Sequence, residues 1–125
     1  GDFFSCAQRM DVAVFEFCLH EMPDPAAAVA RARRLAPEVL VLDHWPGSDW
    51  AFYTAEEVKV AQGWQALQAF ATLRVASHAS RQVFGDYEEL RLKVQPMGDV
   101  ALRRIEPFRG QSGFSIAMEY GFALL

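Results

Sequence analysis

The chain has 125 residues, of which 52% are hydrophobic and 22% charged, a composition typical of a soluble globular domain long enough to bury a core. Its formal net charge of −4 argues against a nucleic-acid partner held through its phosphates. No apolar run approaches the roughly 20 residues that a membrane-spanning helix needs, so we expect no membrane association.

The cysteines and histidines give no sign of a metal site. Cys6 and Cys18 lack a metal-motif spacing, and no second histidine follows His20 four residues later. His44 and His78 lie far apart along the chain, so we expect no bound metal. The first ten residues also lack the basic and apolar regions of a secretory signal. We therefore predict two free thiols and a cytoplasmic protein.

The first half of the chain predicts a strand, a helix and a second strand. Val12 to Phe17 is an almost continuous apolar run, as in a strand that is covered on both faces. Asp24 and Pro25 are typical of a helix N-terminus and predict a helix over Ala26–Leu35. Val39–Asp43 is the second buried strand. This order indicates a right-handed crossover between parallel strands.

The next segments are mostly helical. We expect a loop over His44–Tyr53, and then a helix that Thr54 opens through a capping box and that runs into the low seventies. Residues Arg74 to Gly85 fit either an extension of that helix or a mobile cover. Asp86 is a second capping residue, and it begins a short helix that Pro96 ends.

The last two segments predict a pair of strands. Val100 to Phe108 contains charged residues and a proline, which favour the edge of a sheet. Phe114 to Leu125 is almost wholly apolar and therefore predicts an inner strand, antiparallel to that edge and joined to it by a turn over Gly110–Gly113. The predicted fold is α/β, with parallel strands, a terminal antiparallel pair and helices on the faces.

The parallel pair also carries a family resemblance. The hydrophobic first strand follows the motif Gly1-Asp2. It precedes two further short motifs, Leu19-His20 and Pro23-Asp24-Pro25. Together with the closing strand pair, this pattern resembles class I S-adenosylmethionine-dependent methyltransferases, over nearly all of residues 1–125. The match is to the second half of their Rossmann-like fold. It implies methyl transfer to a small-molecule acceptor, driven by alignment of the reacting atoms in a dry site.

The resemblance also suggests cofactor-binding residues. Asp2 and Phe3 would flank the adenine, unless Asp2 is only a frayed terminal residue. Phe15, Glu16 and Phe17 would contact the methionine end of S-adenosylmethionine. The Glu16 carboxylate could attract the sulfonium as a catalytic group, or it could simply accept hydrogen bonds from loop amides.

The remaining candidates concern the acceptor. His20 lies at the carboxyl end of a strand and could be a catalytic base that touches the substrate, or an orienting residue. The aromatic residues after the second strand could line an apolar acceptor pocket or pack the next helix, and the loop position favours the pocket. The predicted substrate residues are His20, His44, Trp45, Trp50 and Tyr53.

One part of the family pattern is absent. The family's glycine-rich cofactor loop would need a Gly-x-Gly pattern, which does not occur here. We therefore expect the C-terminal part of a methyltransferase domain, inactive alone, that forms homo-oligomers through the open edge of the strand Val12–Phe17. The alternatives are a non-catalytic module for dimerisation or for completing a partner, and an unrelated small α/β ligand-binding protein.

Overall fold

A computed structural model describes residues 8–125, which form one four-stranded sheet with helices packed on it. The strands are β1 (Val12–Glu16), β2 (Glu38–His44), β3 (Arg74–Asp86) and β4 (Ser112–Leu124). Their order across the sheet is β1-β2-β4-β3. β1 and β2 are parallel, whereas β4 is antiparallel to both of its neighbours. The α/β fold class, the parallel pair and the inner position of the last strand are thus confirmed.

Within residues 8–125, five α-helices connect and cover these strands. They are α1 (Pro25–Leu35), α2 (Asp49–Tyr53), α3 (Glu57–Leu67), α4 (Tyr87–Val94) and α5 (Asp99–Arg104), with single 3₁₀ turns at Leu19–Glu21, Gln95–Met97 and Glu106–Phe108. Of the helices in residues 8–125, none combines the length and the apolar character that crossing a membrane requires.

The predicted crossover between the parallel strands is present. Asp24 begins α1, and its Oδ1 accepts a hydrogen bond from the backbone N–H of Ala27 at 3.0 Å. Ala13 and Phe15 of β1 are buried, but Val12 and Val14 on the other face are 44% and 55% exposed. The prediction that this strand is covered on both faces is therefore wrong for the described residues.

The segment after α3 is a strand. Both sequence-based interpretations of it, an extension of the preceding helix and a mobile cover, are therefore wrong. β3 pairs with β4 from Arg74 opposite Leu124 to Asp86 opposite Ser112, and so forms the far edge of the sheet. Phe84 is the one buried residue among the thirteen of β3. An exposed edge strand lacks the apolar alternation by which a strand is recognised in a sequence.

The predicted edge strand over residues 100–108 is also wrong, because it is helical. Ala101 and Ile105 are fully buried four residues apart, which is the spacing of one helix face. Charged residues on the other side of α5 and in the following turn had suggested a sheet edge. Gly110, with φ of 81°, therefore lies between the 3₁₀ turn at Glu106–Phe108 and β4, whereas Gly113, with φ of 58°, is the second residue of β4, and the two do not form a hairpin turn.

The predicted loop over residues 44–53 contains α2, and the helix predicted from Thr54 begins later. Thr54 caps the C-terminus of α2, where its Oγ1 donates a hydrogen bond to the carbonyl of Trp50 at 2.9 Å. α3 starts at Glu57 and ends at Leu67. Residue 56 thus lies in a turn between two helices, and this turn faces the carboxyl ends of β1 and β2.

Candidate functional site

The site lies where β1 and β2 end. Because these strands are parallel and Glu16 stands opposite Leu42, their carboxyl ends meet at one edge of the sheet. The chain leaves β1 through Phe17, whose φ of 50° is in the left-handed region. Its backbone N–H still donates a hydrogen bond to the carbonyl of Leu42 at 2.7 Å. This turn brings the residues that follow β1 over the end of β2.

Backbone strain is concentrated around this edge. Phe17 and Ala55 are the non-glycine residues of the described chain with a left-handed φ. Such a conformation costs about 1–3 kcal/mol and persists only where the surrounding structure enforces it. Phe17 itself lies at this edge, and Ala55 directly precedes Glu56. Both left-handed residues therefore help to place side chains at the same edge.

Asp43, the residue before the end of β2, fixes the position of His20. Its Oδ1 lies 2.6 Å from Nδ1 of His20, and its Oδ2 accepts the backbone N–H of His20 at 3.0 Å. Oδ1 also accepts the backbone N–H of His44 at 2.8 Å. His20 and Asp43 are both buried, at 6% and 2% exposure. With Nδ1 directed at Asp43, the His20 ring presents Nε2 on its other side.

Two carboxyl groups face that second nitrogen. Glu56 Oε2 lies 3.1 Å and Glu21 Oε1 lies 3.3 Å from Nε2 of His20. Glu56 is buried, and its Oε2 accepts no hydrogen bond despite the short distance. The other oxygen of Glu21 lies 3.4 Å from Nζ of Lys59 at the surface. We call Asp43, His20, Glu21 and Glu56 the His20 cluster.

The close packing of these groups changes their proton affinities. Burial, reinforced by contact with Glu21, raises the pKa of Glu56 to about 7. Contact with Glu56 and with Lys59 lowers the pKa of Glu21. Burial lowers the pKa of His20, but the hydrogen bond and charge of Asp43 and the charges of both glutamates outweigh burial and raise the pKa overall.

Aromatic rings border the cluster on one side. The ring of His44 lies 5.5 Å from that of His20 and 5.0 Å from that of Phe17, and Tyr120 lies 6.3 Å from Phe17. Burial lowers the pKa of His44, which favours its neutral form. Its Nδ1 is buried and has no hydrogen-bond partner. We call Phe17, His44 and Tyr120 the aromatic rim.

A cavity of about 480 Å³ lies beyond the end of β2, between α3 and the strands β3 and β4. Trp45 and Trp64 line it, with their rings 4.8 Å apart, and Nε1 of Trp64 donates a hydrogen bond to the carbonyl of His44 at 2.6 Å. A Cβ at Gly121 would lie 2.2 Å from the Trp45 ring. The cavity therefore depends on glycine at this position of β4.

The structure brings some of the predicted site residues together. His44 adjoins both Phe17 and His20, and Trp45 lines the neighbouring cavity. Glu16 is exposed at the end of β1. Asp2 and Phe3 lie outside the described residues.

The other predicted residues lie elsewhere. Trp50 is buried and stacks on Phe84 at 5.8 Å. Tyr53 packs against Phe108 at 5.1 Å, and Phe15 is buried in the core beneath β1. These three side chains support the fold, and the structure does not bring them to the edge formed by Phe17 and His44.

Sequence reasoning did not identify Glu21 or Glu56 as site residues, and it treated Asp43 only as the end of a strand. Glu21 follows His20 directly, so its adjacency was a signal. Glu56 gave none, because it was interpreted as part of a helix cap and is 36 positions beyond His20. The turn between α2 and α3 is what places it in the cluster.

Comparisons with known proteins support the fold. No family model matches the chain, and no curated protein matches it in sequence. A crystal structure of a protein from Bacillus halodurans C-125, described as a "putative methyltransferase", matches 99% of this chain and 68% of its own, with a TM-score of 0.64 and 14% identity. The chain therefore has a methyltransferase-like α/β fold.

Proposed function

We propose that this chain forms the C-terminal part of a methyltransferase domain that transfers a methyl group from S-adenosylmethionine to a small-molecule acceptor. One observation carries the proposal. The two parallel strands end at a common edge, and there a buried polar cluster adjoins an aromatic rim in a methyltransferase-like fold. Ligands of open α/β sheets bind at such an edge.

The residues at this edge fit the methionine end of the cofactor. Phe17 is half-buried at the tip of β1, and the exposed carboxylate of Glu16 precedes it. An aromatic face and a carboxylate both attract a cation such as a sulfonium. When bound, the cofactor supplies a methyl group on that sulfonium. Asp2 and Phe3, which we assign to the adenine, fall outside the described residues.

The other residues of the edge suit the acceptor. The aromatic rim of Phe17, His44 and Tyr120 would exclude water. The cavity lined by Trp45 offers an apolar surface nearby. His20, held rigidly by Asp43, lies beside the rim, and together with Glu21 and Glu56 it would form the polar side of the acceptor site. Methyl transfer relies mainly on alignment in a dry site, so a fixed rim and a fixed polar contact are what such chemistry needs.

A second candidate function is a non-catalytic module that dimerises or completes a partner. In the described part of the chain β1 pairs with β2 alone, and Val12 and Val14 are exposed beside it. An open, apolar edge strand of this kind favours association. Cofactor binding separates the two functions, because the module needs none.

The test is calorimetry with S-adenosylhomocysteine on the protein as it is encoded, and on the 125-residue chain. We expect the encoded protein to bind it, the chain alone to bind weakly or not at all, and Phe17→Ala to weaken binding about tenfold through lost ring contact. Phe52→Ala is the matched control, because Phe52 is 47% exposed and packs on Arg104 away from this edge. Equal losses in both variants, or no binding by the encoded protein, would reject the proposal.

A further inference from the structure

We propose that His20, Glu21 and Glu56 bind a first-row divalent metal ion, with Asp43 orienting His20 from the opposite side of its ring. This inference goes beyond methyl transfer, and it stands whether or not the chain is a methyltransferase. It departs from the sequence-based expectation of no metal, because the third ligand comes from a distant turn.

The spacing of the three side chains suits one small ion. Nε2 of His20 lies 3.1 Å from Glu56 Oε2 and 3.3 Å from Glu21 Oε1. One ligand atom from each residue lies within 4.8 Å of the others. Ligands bound at about 2.0–2.2 Å in tetrahedral or octahedral geometry stand about 3.0–3.5 Å apart along an edge. Two of the three edges already have this length.

Glu56 supplies an independent observation. The residue is 8% exposed, and its buried Oε2 points at the cluster without accepting a hydrogen bond. If a proton on Nε2 were the bridge, that 3.1 Å contact should be a hydrogen bond, but its geometry does not form one. A buried carboxylate oxygen that accepts no hydrogen bond is costly, and a cation in front of it would remove the cost.

Asp43 gives His20 the form that a metal requires. It accepts the Nδ1–H of the ring and the backbone N–H groups of His20 and His44. The lone pair of a neutral His20 then lies on Nε2, directed at two acceptor carboxylates. That arrangement is repulsive unless a proton is bound to the cluster or a cation lies between these groups. Carboxylates orient metal-bound histidines in the same way.

The donor set selects the class of ion. One imidazole nitrogen with two carboxylate oxygens suits Zn²⁺ or Mn²⁺, whereas Mg²⁺ and Ca²⁺ prefer oxygen ligands throughout. Three protein ligands leave at least one coordination position open. The Glu21 side chain is 50% exposed, so this position would be reached from solvent on its side.

The experiment is a calorimetric titration of the chelator-treated full chain with ZnCl₂ and with MnCl₂. We expect one equivalent of at least one ion to bind and to raise the melting temperature. Glu56→Gln keeps the side-chain shape and should weaken binding at least tenfold. Glu57→Gln is the matched control, because Glu57 pairs with Arg104 at 2.8 Å outside the cluster and its change should leave affinity unaltered.

Glu21→Gln covers the case in which Glu56→Gln does not fold, since Glu21 is at the surface, and it too should weaken binding. The absorption spectrum of the Co²⁺ form, altered by either cluster variant and not by Glu57→Gln, is a second readout. No binding of either ion by the unmodified chain, or equal affinities in the cluster and control variants, would overturn the metal site. A failure of S-adenosylhomocysteine binding would leave it intact.

Discussion

Asp43 is the residue on which the local structure of the edge depends most. It is buried and accepts three hydrogen bonds, two from backbone N–H groups and one from the His20 ring. These bonds tie the turn after β1 to the end of β2. The carboxylate therefore sets both the orientation of His20 and the path of the chain around it.

Replacing Asp43 by alanine should be strongly destabilising. The change leaves buried donors on His20 and His44 without a partner, and removing one member of a buried charged pair typically costs about 3–5 kcal/mol. Urea denaturation in the presence of a chelator measures the free energy of unfolding. Asp11→Ala is the control, because Asp11 is exposed. A loss of less than about 1 kcal/mol for Asp43→Ala would contradict this role.

Other residues of the site show how far sequence reasoning reaches. His20 and His44 follow strands that the apolar pattern predicts, so their meeting at one edge could be foreseen. Glu56 could not, because its place depends on a left-handed turn at Ala55 and on where α2 ends. Trp50 was expected at the substrate, but a large aromatic side chain after a strand is equally suited to the core.

In residues 8–125, β1 is one of the two edge strands of the sheet, and β3 is the other. β1 contacts β2 on one edge, and in the described residues its other edge has no strand beside it. Val14 is 55% exposed on its open face. We propose on this basis that isolated copies of the chain associate through β1, as an open edge strand favours.

A charge on this strand should reduce that association. Val14→Lys places an ammonium on the exposed face of the edge and should shift the chain toward monomer with little change in stability. Val58→Lys is the matched control, since Val58 is 61% exposed on α3. Sedimentation velocity at several concentrations measures the distribution. A monomeric unmodified chain, or the same shift in both variants, would show that β1 is not the interface.

Elements with strong local signals were predictable, and those fixed by tertiary pairing were not. Asp24 and Asp86 both begin helices as expected, with each carboxylate accepting a backbone N–H. β3 is a strand because β4 pairs with it along its length. The amino-acid composition of an exposed edge strand gives little sign of such pairing. In α5, the charged side chains concealed the spacing of Ala101 and Ile105.

In the molecule as a whole, two clusters of buried apolar residues stabilise the sheet, one beside each of its edge strands. One joins β1 and β2 to α1 and includes Phe15 and Val41, and the other joins β3 and β4 to the later helices and includes Trp50 and Ile105. The His20 cluster and the aromatic rim lie at the carboxyl ends of β1 and β2. A rigid support of this kind suits a site that works by alignment.

We propose that this protein binds its ligand at the shared end of β1 and β2. The most direct measurement is a titration of the ¹⁵N-labelled encoded protein with S-adenosylhomocysteine, followed by amide NMR shifts. We predict that, within this chain, the largest shifts fall on residues 17–21 and 43–45. Largest shifts on β3, α4 or α5, with residues 17–21 unchanged, would contradict the claim.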